Sequence, residues 1–278
     1  MEGLEKRLKE YRAYLTLQKG FLKSTRESYT RILSKMLRDI GTLDPTHDEL
    51  NAFMLEVIDR APSYTHITNT MRAIESYADC TGTPIAAFNR GRKPRPVIRD
   101  SLTEAEVTLI LAACKNIREG AVIALLADSG IRCDELCNTK VCDLDLGENF
   151  MKVRGKFMKE GVSFIGGECS KILQEYLSKF RRGPDDYLFT SLRHNEQMST
   201  WAIRKMVRTI VARSPVKKNV HPHTFRHSLA SNMLDRGANP ITIQEQLRHR
   251  HLSTTMLYVH SRKDRVQAEY QMCRPRYH

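Results

Sequence analysis

Two stretches rich in histidine and arginine lie in the C-terminal third of the chain. Residues 221–227 read His-Pro-His-Thr-Phe-Arg-His, and residues 247–258 read Leu-Arg-His-Arg-His-Leu-Ser-Thr-Thr-Met-Leu-Tyr. The first stretch is predicted to open a helix over 223–235. The spacing of apolar residues around the second stretch predicts helices over 240–249 and 253–260. Helices are therefore expected to carry these polar side chains.

Two further polar motifs lie upstream, each beside a hydrophobic segment. Residues 129–136, Ser-Gly-Ile-Arg-Cys-Asp-Glu-Leu, follow an apolar run that predicts a buried helix over 120–128. The motif Val153-Arg-Gly-Lys156 lies between segments 149–154 and 161–165, whose β-branched and aromatic residues predict a hairpin or a three-stranded sheet.

The remainder of the region after residue 100 is predicted to be helical apart from one short strand. Thr103 and Glu106 have the spacing of a capping box at the start of a helix. Helices are also predicted over 168–180 and 199–213, and a strand over 186–190. The expected fold class is mainly α with a small β-sheet, that is, α+β.

The first 88 residues predict a separate small helical bundle of four amphipathic helices. Capping-box spacing occurs at Ser24 and Glu27 and again at Thr46 and Glu49, in each case ahead of a run of periodic apolar residues. The fourth helix is predicted from about residue 63 to residue 80. These residues are expected to form one domain. Nothing in them resembles a set of catalytic groups.

A basic linker is predicted over residues 89–100. It contains two prolines, which favour extended backbone, and five basic residues, Arg90, Arg92, Lys93, Arg95 and Arg99. Charge also changes across this segment: residues 1–90 carry 13 Lys and Arg against 12 Asp and Glu, whereas residues 91–278 carry 32 against 20. Such a segment suits the surface of a polyanion, although a solvated linker that is basic by chance has the same composition.

Composition excludes several classes of protein. The 278 residues are 41% hydrophobic and 28% charged, which argues against disorder, and the formal net charge is +13. No apolar run is long enough to span a membrane, and the N-terminus alternates charges where a signal peptide needs an apolar core. The seven cysteines are odd in number and scattered, so reduced thiols in the cytoplasm are expected.

A zinc site is the alternative interpretation of the histidine-rich stretches. Five of the ten histidines lie there: His221, His223, His227, His249 and His251. These stretches contain no cysteine and no HExxH glutamate, and cationic arginines are interleaved with the histidines. The close cysteines 133, 137 and 142 likewise lack the CxxC spacing of zinc sites. No metal is therefore expected.

The ordered set Arg132, Lys156, His223-x-x-Arg226, His249 and Tyr258 resembles that of the tyrosine recombinase (phage integrase) family, and most closely its Xer-type and archaeal members. The resemblance covers nearly the whole chain. It implies that residues 1–88 form a helical core-binding (SAM-like) DNA-binding domain. It further implies that residues 101–278 form a catalytic domain that ends in a tail helix near 264–272.

The resemblance also implies a role for each matching residue. Five of them, Arg132, Lys156, His223, Arg226 and His249, would surround a DNA phosphate, and Tyr258 would attack it. The reaction would proceed through a 3′-phosphotyrosine without any cofactor. Glu135 is expected to support one of these arginines without contacting the phosphate itself. Taken alone, Arg132 and Glu135 also fit a simple ion pair at a helix start, and Tyr258 fits a packed aromatic, with Tyr270 and Tyr277 as competing nucleophiles.

Three departures from the family pattern affect the DNA-facing residues. Phe157 follows Lys156 where a glycine is common, so Lys159 remains the second candidate for the general acid. Arg248 replaces the usual small residue before His249, and His251 replaces a frequent acidic residue. Besides the five basic residues of the linker, the expected DNA contacts are Lys159, Arg248 and Arg250.

The partners and the location follow from the same resemblance. Double-stranded DNA is the expected partner. A homotetramer on two DNA sites would exchange the tail, residues 261–278, between protomers, and a monomer or dimer off DNA is left open. A location in the cytoplasm, in association with the nucleoid and with no membrane contact, is expected. The function that the resemblance implies is site-specific DNA recombination, in integration, excision or dimer resolution. The alternatives are a type IB topoisomerase-like relaxing enzyme and a non-catalytic DNA-binding protein that retains the fold.

Overall fold

A computed structural model describes residues 2–60, 63–85, 88–90, 101–154, 160–180, 183–191 and 196–249. The chain divides into two compact units, Met1–Pro96 and Val97–His278. In the part of the chain that the structure describes, no helix is both long and apolar enough to cross a membrane.

The first unit is built from helices. They are α1 (Glu2–Leu17), α2 (Lys23–Ile40), α3 (His47–Arg60) and α4 (Tyr64–Thr81). Their apolar faces form one core in which Tyr11 and Tyr77 are almost completely buried with their rings edge to face. The Tyr11 hydroxyl donates to the Ala73 carbonyl over 3.0 Å, which satisfies its polar end in the interior. The sequence periodicity thus predicts the helical character of this unit correctly.

Helix starts in the first unit follow the sequence signals in two of three cases. Ser63 caps α4, and at the start of α3 the Thr46 amide donates to the Glu49 carboxylate over 2.7 Å. The predicted capping box at Ser24 is wrong, because α2 begins at Lys23 and its N-cap is Leu22, whose side chain makes no capping hydrogen bond.

The second unit combines helices with a small antiparallel sheet. The helices are α5 (Glu104–Ala112), α6 (Ile117–Ser129), α7 (Cys133–Asn138), α8 (Gly167–Phe180), α9 (Thr200–Arg213), α10 (Pro222–Asp235) and α11 (Pro240–Leu247), and the strands are β1 (Leu144–Asp145), β2 (Phe150–Arg154) and β3 (Glu160–Phe164). The strand order is β1-β2-β3, and β2 pairs with β3 in a register that places Phe150 opposite Phe164. The predicted fold class, mainly α with a small sheet, is confirmed.

Helix α6 lies at the centre of this unit. Its apolar run, residues 121–126, is buried on all sides, and the helix contacts α5, α8, α9 and α10. Burial of such a run is the dominant favourable contribution to folding, at about 25 cal/mol per Å² of apolar surface. The helix therefore fixes the turn that follows it, where Arg132 lies.

Four predictions for this unit differ from the structure or lie outside the described residues. Residues 186–190 do not form a strand, because only isolated bridges join Tyr187 to Lys140 and Thr190 to Gln197. The helix predicted over 240–249 ends at Leu247. The helices predicted over 253–260 and 264–272 lie outside the described residues.

Candidate active site

Arg132 lies at the turn between α6 and α7. The turn requires Gly130, whose φ is +60° and where a Cβ would lie 2.5 Å from Leu247 Cδ2. Arg132 is the N-cap residue of α7, and about a third of its side chain (34%) is exposed. Its Nη1 donates to Glu135 Oε1 over 2.6 Å, and its amide donates to Glu135 Oε2 over 3.0 Å. The carboxylate therefore fixes both the backbone and the guanidinium of Arg132.

Glu135 is buried and accepts hydrogen bonds from two arginines. Besides Arg132, Arg248 Nη2 donates to Oε2 over 3.1 Å. Burial by itself would raise the pKa of Glu135. The hydrogen bond from the Arg132 amide and the charges of Arg248 and Arg132 outweigh that effect and hold the pKa below its ordinary value. Glu135 is therefore ionised and compensates part of the positive charge beside it.

Arg226 lies in the second turn of α10 and is buried. Its Nη1 donates to the Gly130 carbonyl over 2.7 Å, and its Nη2 donates to the Leu247 carbonyl. These carbonyls lie two residues before Arg132 and two residues before His249, respectively. A single guanidinium thus joins the turn that carries Arg132 to the end of the helix that precedes His249.

The two candidate histidines lie near these arginines. Partial desolvation of the ring and the charge of Arg226 lower the pKa of His223, in the first turn of α10. His249 is buried directly after Arg248, the C-cap of α11, and desolvation together with the charges of Arg226 and Arg132 lowers its pKa to about 4. Both rings are therefore neutral at neutral pH, and each offers one donor and one acceptor nitrogen.

The described residues contain no cluster of three or more His, Cys, Asp or Glu side chains that could hold a metal ion. His251, which belongs to the alternative zinc set, lies outside them. The described part of the site brings guanidiniums and neutral imidazoles together, and such donors suit an anion.

The remaining predicted site residues are distributed as follows. Lys156 and Lys159 belong to the segment 155–159, which follows β2 and precedes β3 in the chain. The predicted site residues outside the described residues are Lys156, Lys159, Tyr258, Arg250, Arg92, Lys93, Arg95 and Arg99. Arg90 is described and forms an ion pair with Glu75 in the first unit. Arg248 points into the protein, with only 14% of its side chain exposed.

Helix α9 carries a basic face that the sequence reasoning missed. Arg204, Lys205 and Arg208 are exposed on it, and Lys205 Nζ lies 5.0 Å from the ring centroid of the exposed Trp201. The helix begins beside the candidate site, since Cys133 Sγ lies 3.7 Å from the Thr200 carbonyl. The signal was present in the sequence, because these basic residues recur at helical spacing in residues 201–208 while the apolar ones face inward.

Comparison with known proteins identifies the family. Residues 100–265 match the sequence model of the Phage integrase family. Tyrosine recombinase XerA of Pyrococcus horikoshii is 33% identical over 255 residues, which cover 90% of this chain and 87% of that protein. Among solved structures, the crystal structure of XerA recombinase is 27% identical, with a TM-score of 0.56 over 99% of this chain and all of that one.

A second solved structure supports the fold. XerH site-specific recombinase, bound to its difH substrate in a pre-cleavage complex, superposes with a TM-score of 0.73 at 18% identity and covers 90% of this chain and 80% of its own. The ordered polar motifs, the helical fold with its small sheet, and the family match agree. The chain belongs to the phage integrase family and is a tyrosine-type site-specific recombinase.

Proposed function

We propose that the active centre of this recombinase consists of Arg132, Lys156, His223, Arg226, His249 and Tyr258. The observation that carries the proposal is the pair of hydrogen bonds from Arg226 to the Gly130 and Leu247 carbonyls. They bring two distant motifs, around Arg132 and around His249, to one guanidinium. The ligand that suits such a cluster is a phosphodiester, which is anionic and which arginines bind through planar, always-charged forks.

Stabilisation of the transition state is the role of the two arginines. As a nucleophile attacks phosphorus, negative charge spreads over the non-bridging oxygens, and donors fixed in advance near those oxygens lower the barrier. One such donor is worth about 2.7–4 kcal/mol in well-studied oxyanion holes. Arg226 is fixed by backbone carbonyls and Arg132 by Glu135, so neither guanidinium has to be ordered during the reaction.

Proton transfer is the role of the remaining groups. The Tyr258 oxygen forms a bond to phosphorus and passes its proton to neutral His223, while the bond from phosphorus to the 5′-oxygen breaks. Lys156, or Lys159 in its place, gives that oxygen a proton, and neutral His249 donates a hydrogen bond to the phosphate. The products are a 3′-phosphotyrosine and a free 5′-hydroxyl. Attack by the 5′-hydroxyl of another strand reverses these steps and rejoins the DNA without ATP.

Double-stranded DNA is the proposed substrate and partner. XerH, which shares the fold, has been solved bound to its difH substrate. In this chain the basic face of α9 begins beside the candidate site, and five basic residues lie in the segment 89–99. Neutralising phosphates releases condensed counterions, so we expect binding to weaken steeply with salt. The proposed contacts are Arg90, Arg92, Lys93, Arg95, Arg99, Lys159 and Arg250, together with Arg204, Lys205 and Arg208 of α9.

The arrangement on DNA extends the proposal to the whole chain. Residues 1–88 would act as the core-binding domain and residues 101–278 as the catalytic domain, joined by the basic linker around the duplex. Four protomers would hold two recombination sites, and the tail, residues 261–278, would dock on a neighbouring protomer. This activity belongs in the cytoplasm at the nucleoid, where the DNA lies.

Covalent capture tests the active centre. Fragmented genomic DNA of the source organism is incubated with the protein, the covalently bound fragments are sequenced, and a nicked suicide substrate is built on the recovered site. Tyr258→Phe should retain DNA affinity and lose the adduct, while the matched variants Tyr270→Phe and Tyr277→Phe should retain both. An adduct that survives Tyr258→Phe would contradict the proposal. A two-site exchange assay on the same site distinguishes recombination from mere relaxation of supercoils.

A further inference from the structure

We propose that Arg248 is a positioning residue that holds Glu135, and through it Arg132, by bracing the end of α11 against strand β3 at Gly161. The inference rests on the proposed function, in which Arg132 binds the DNA phosphate. It gives Arg248 a role different from the DNA contact expected from its place in the sequence.

The backbone of Arg248 shows that its side chain has a specific use. Arg248 has φ +55° and ψ +47°, the left-handed conformation, and its amide donates to the Gln244 and Glu245 carbonyls at the end of α11. Side chains disfavour this conformation, and glycine adopts it without strain. An arginine at this position therefore carries a conformational cost that a glycine would not.

The guanidinium of Arg248 is engaged inside the protein. Nη2 donates to Glu135 Oε2 over 3.1 Å, and Nη1 donates to the Gln246 carbonyl over 3.0 Å. Desolvation lowers the pKa of Arg248 and Glu135 opposes that shift, so the group remains a cation because its ordinary pKa is very high. Only 14% of the Arg248 side chain is exposed, and its charge is paired with the buried carboxylate of Glu135, whereas Arg226 donates to backbone carbonyls, which do not cancel its charge.

The stem of the same side chain crosses the backbone of β3. A Cβ on Gly161 would lie 2.8 Å from Arg248 Cδ and 3.3 Å from Cγ, so the stem packs directly against the space that a larger residue would fill. The strand is fixed there independently, because Gln246 of α11 accepts from the Phe164 amide over 3.0 Å and donates to the Phe164 carbonyl over 2.8 Å. Arg248 thus spans from the end of α11, across β3, to α7.

This contact changes the charge available beside Arg132. With Arg132 alone, the ionised Glu135 would form a neutral pair, whereas with Arg248 the carboxylate is shared by two cations and the cluster carries one net positive charge. Arg248 also binds Oε2, the oxygen that accepts from the Arg132 amide, and so leaves Oε1 to the Arg132 guanidinium. Both effects favour an oriented, incompletely neutralised guanidinium at Arg132.

The contact also links the strand that leads out of the segment 155–159 to the candidate site. Lys156 lies in that segment, and β3 begins at Glu160, one residue before Gly161. Displacement of the Arg248 stem at Gly161 is therefore expected to disturb Glu135 through Arg248, which contacts both. This expectation makes a pair of variants informative.

The experiment measures single-turnover cleavage of the suicide substrate, the dissociation constant for DNA with its salt dependence, and the thermal unfolding midpoint. The variants are Arg248→Gly, Arg248→Lys, Gly161→Ala and the double variant. Arg248→Gly should slow cleavage by up to about tenfold, because Arg248 acts through Glu135 and a small misplacement of a catalytic group can have an effect of that size. Its DNA affinity should stay within about threefold and its salt slope should not change, because Arg248 is not expected to touch phosphate.

Rescue and coupling distinguish positioning from a merely structural role. Arg248→Lys retains the cation and should recover most of the cleavage rate. Gly161→Ala should slow cleavage in the natural chain, because the new Cβ displaces a stem that is held at both ends, and it should have little further effect once Arg248 is glycine. Arg236→Ala, which removes an exposed arginine paired with Glu104, is the matched control and should cleave at the natural rate.

Several outcomes would overturn the inference. They are an unchanged cleavage rate in Arg248→Gly, fully additive effects of the two substitutions, or a loss of affinity with a salt slope smaller by about 0.9, which is the signature of one phosphate contact. Arg132→Ala is measured in parallel. Normal cleavage by Arg132→Ala would contradict the proposed function of Arg132. An inactive Arg132→Ala together with a normal Arg248→Gly would contradict only the inference about Arg248.

Discussion

The two arginines of the candidate site are held by different kinds of partner. Arg226 is buried in α10 and donates to two backbone carbonyls, whereas Arg132 is a third exposed and donates to the carboxylate of Glu135. Carbonyls orient a cation without cancelling its charge, and a carboxylate orients it while cancelling part of it. Under the proposed function we therefore expect Arg226 to serve both the fold and the chemistry, and Arg132 to serve chiefly the chemistry.

Replacement of each arginine by lysine is the strongest way to break this comparison. A lysine at 226 cannot reach both carbonyls, so we expect cleavage to fall about 1,000-fold and the free energy of unfolding to fall by about 2 kcal/mol, since a hydrogen bond to a charged group contributes about 1.5–3 kcal/mol. Arg132→Lys should slow cleavage about 100-fold but cost less than about 1 kcal/mol of stability, since partly exposed pairs contribute little.

Single-turnover cleavage and urea unfolding followed by fluorescence check this pair of predictions. The only tryptophan, Trp201, lies in α9, so its emission reports on the second unit. Equal losses of stability in the two variants would contradict the proposed division of roles.

The pH dependence of stability tests the combined effect of the two arginines on the pKa of their neighbour His249. Its pKa is about 4 in the folded protein, because of desolvation and the charges of Arg226 and Arg132, and close to 6.5 in an unfolded chain. Between these values the unfolded chain binds a proton that the folded chain does not, so stability must fall as the pH drops from about 6.5 towards 4. From pH 7.5 to 4.5 this group should contribute a loss of about 2.5 kcal/mol.

Urea unfolding at a series of pH values measures this loss. His249→Gln should flatten the profile by about that amount. A profile that is equally steep with and without His249 would show that its neighbours do not suppress its protonation.

Removal of the carboxylate at Glu135 has a smaller expected effect. Glu135→Gln retains one acceptor oxygen but leaves Arg132 and Arg248 as two uncompensated neighbouring cations. We expect cleavage to slow about tenfold through loss of orientation, with DNA affinity nearly unchanged. Faster cleavage would instead mean that Glu135 chiefly dampens the charge of Arg132, and single-turnover rates decide between these results.

The basic face of α9 gives the smallest expected effect. Arg208→Ala should weaken DNA binding about threefold to tenfold and reduce the log–log salt slope by about 0.9, since one phosphate contact is lost. Arg236→Ala, an exposed arginine that is paired with Glu104, provides the control. Identical salt slopes for the two variants would remove α9 from the DNA-binding surface.

The sequence predicts local features of this fold better than the contacts that orient them. Thr103 and Glu106 form the capping box that their spacing indicates, because both partners lie within one helical turn. Ser24 has the same spacing, yet α2 starts earlier, where the ring of Phe21 packs edge to face on Tyr29 with centroids 5.7 Å apart. Packing between side chains, which no local spacing encodes, sets that helix start.

The same limit applies to the candidate site. The types and order of its residues are visible in the sequence, and they led to the family that the comparisons identify. The role of Arg248 was not visible, because its partner Glu135 lies 113 residues away along the chain. In the sequence alone, the charge of Arg248 next to His249 suggests a DNA contact. In the structure, Arg248 is paired with the buried carboxylate of Glu135.

The central claim is that these arginines and histidines direct Tyr258 to a DNA phosphate. Its most direct test is mass spectrometry of the covalent complex after trypsin and nuclease digestion, which identifies the peptide that carries the nucleotide. The account predicts the peptide 251–262, whose one tyrosine is Tyr258. A nucleotide on a peptide that contains Tyr270 or Tyr277, or on a serine or threonine of 251–262, would contradict it.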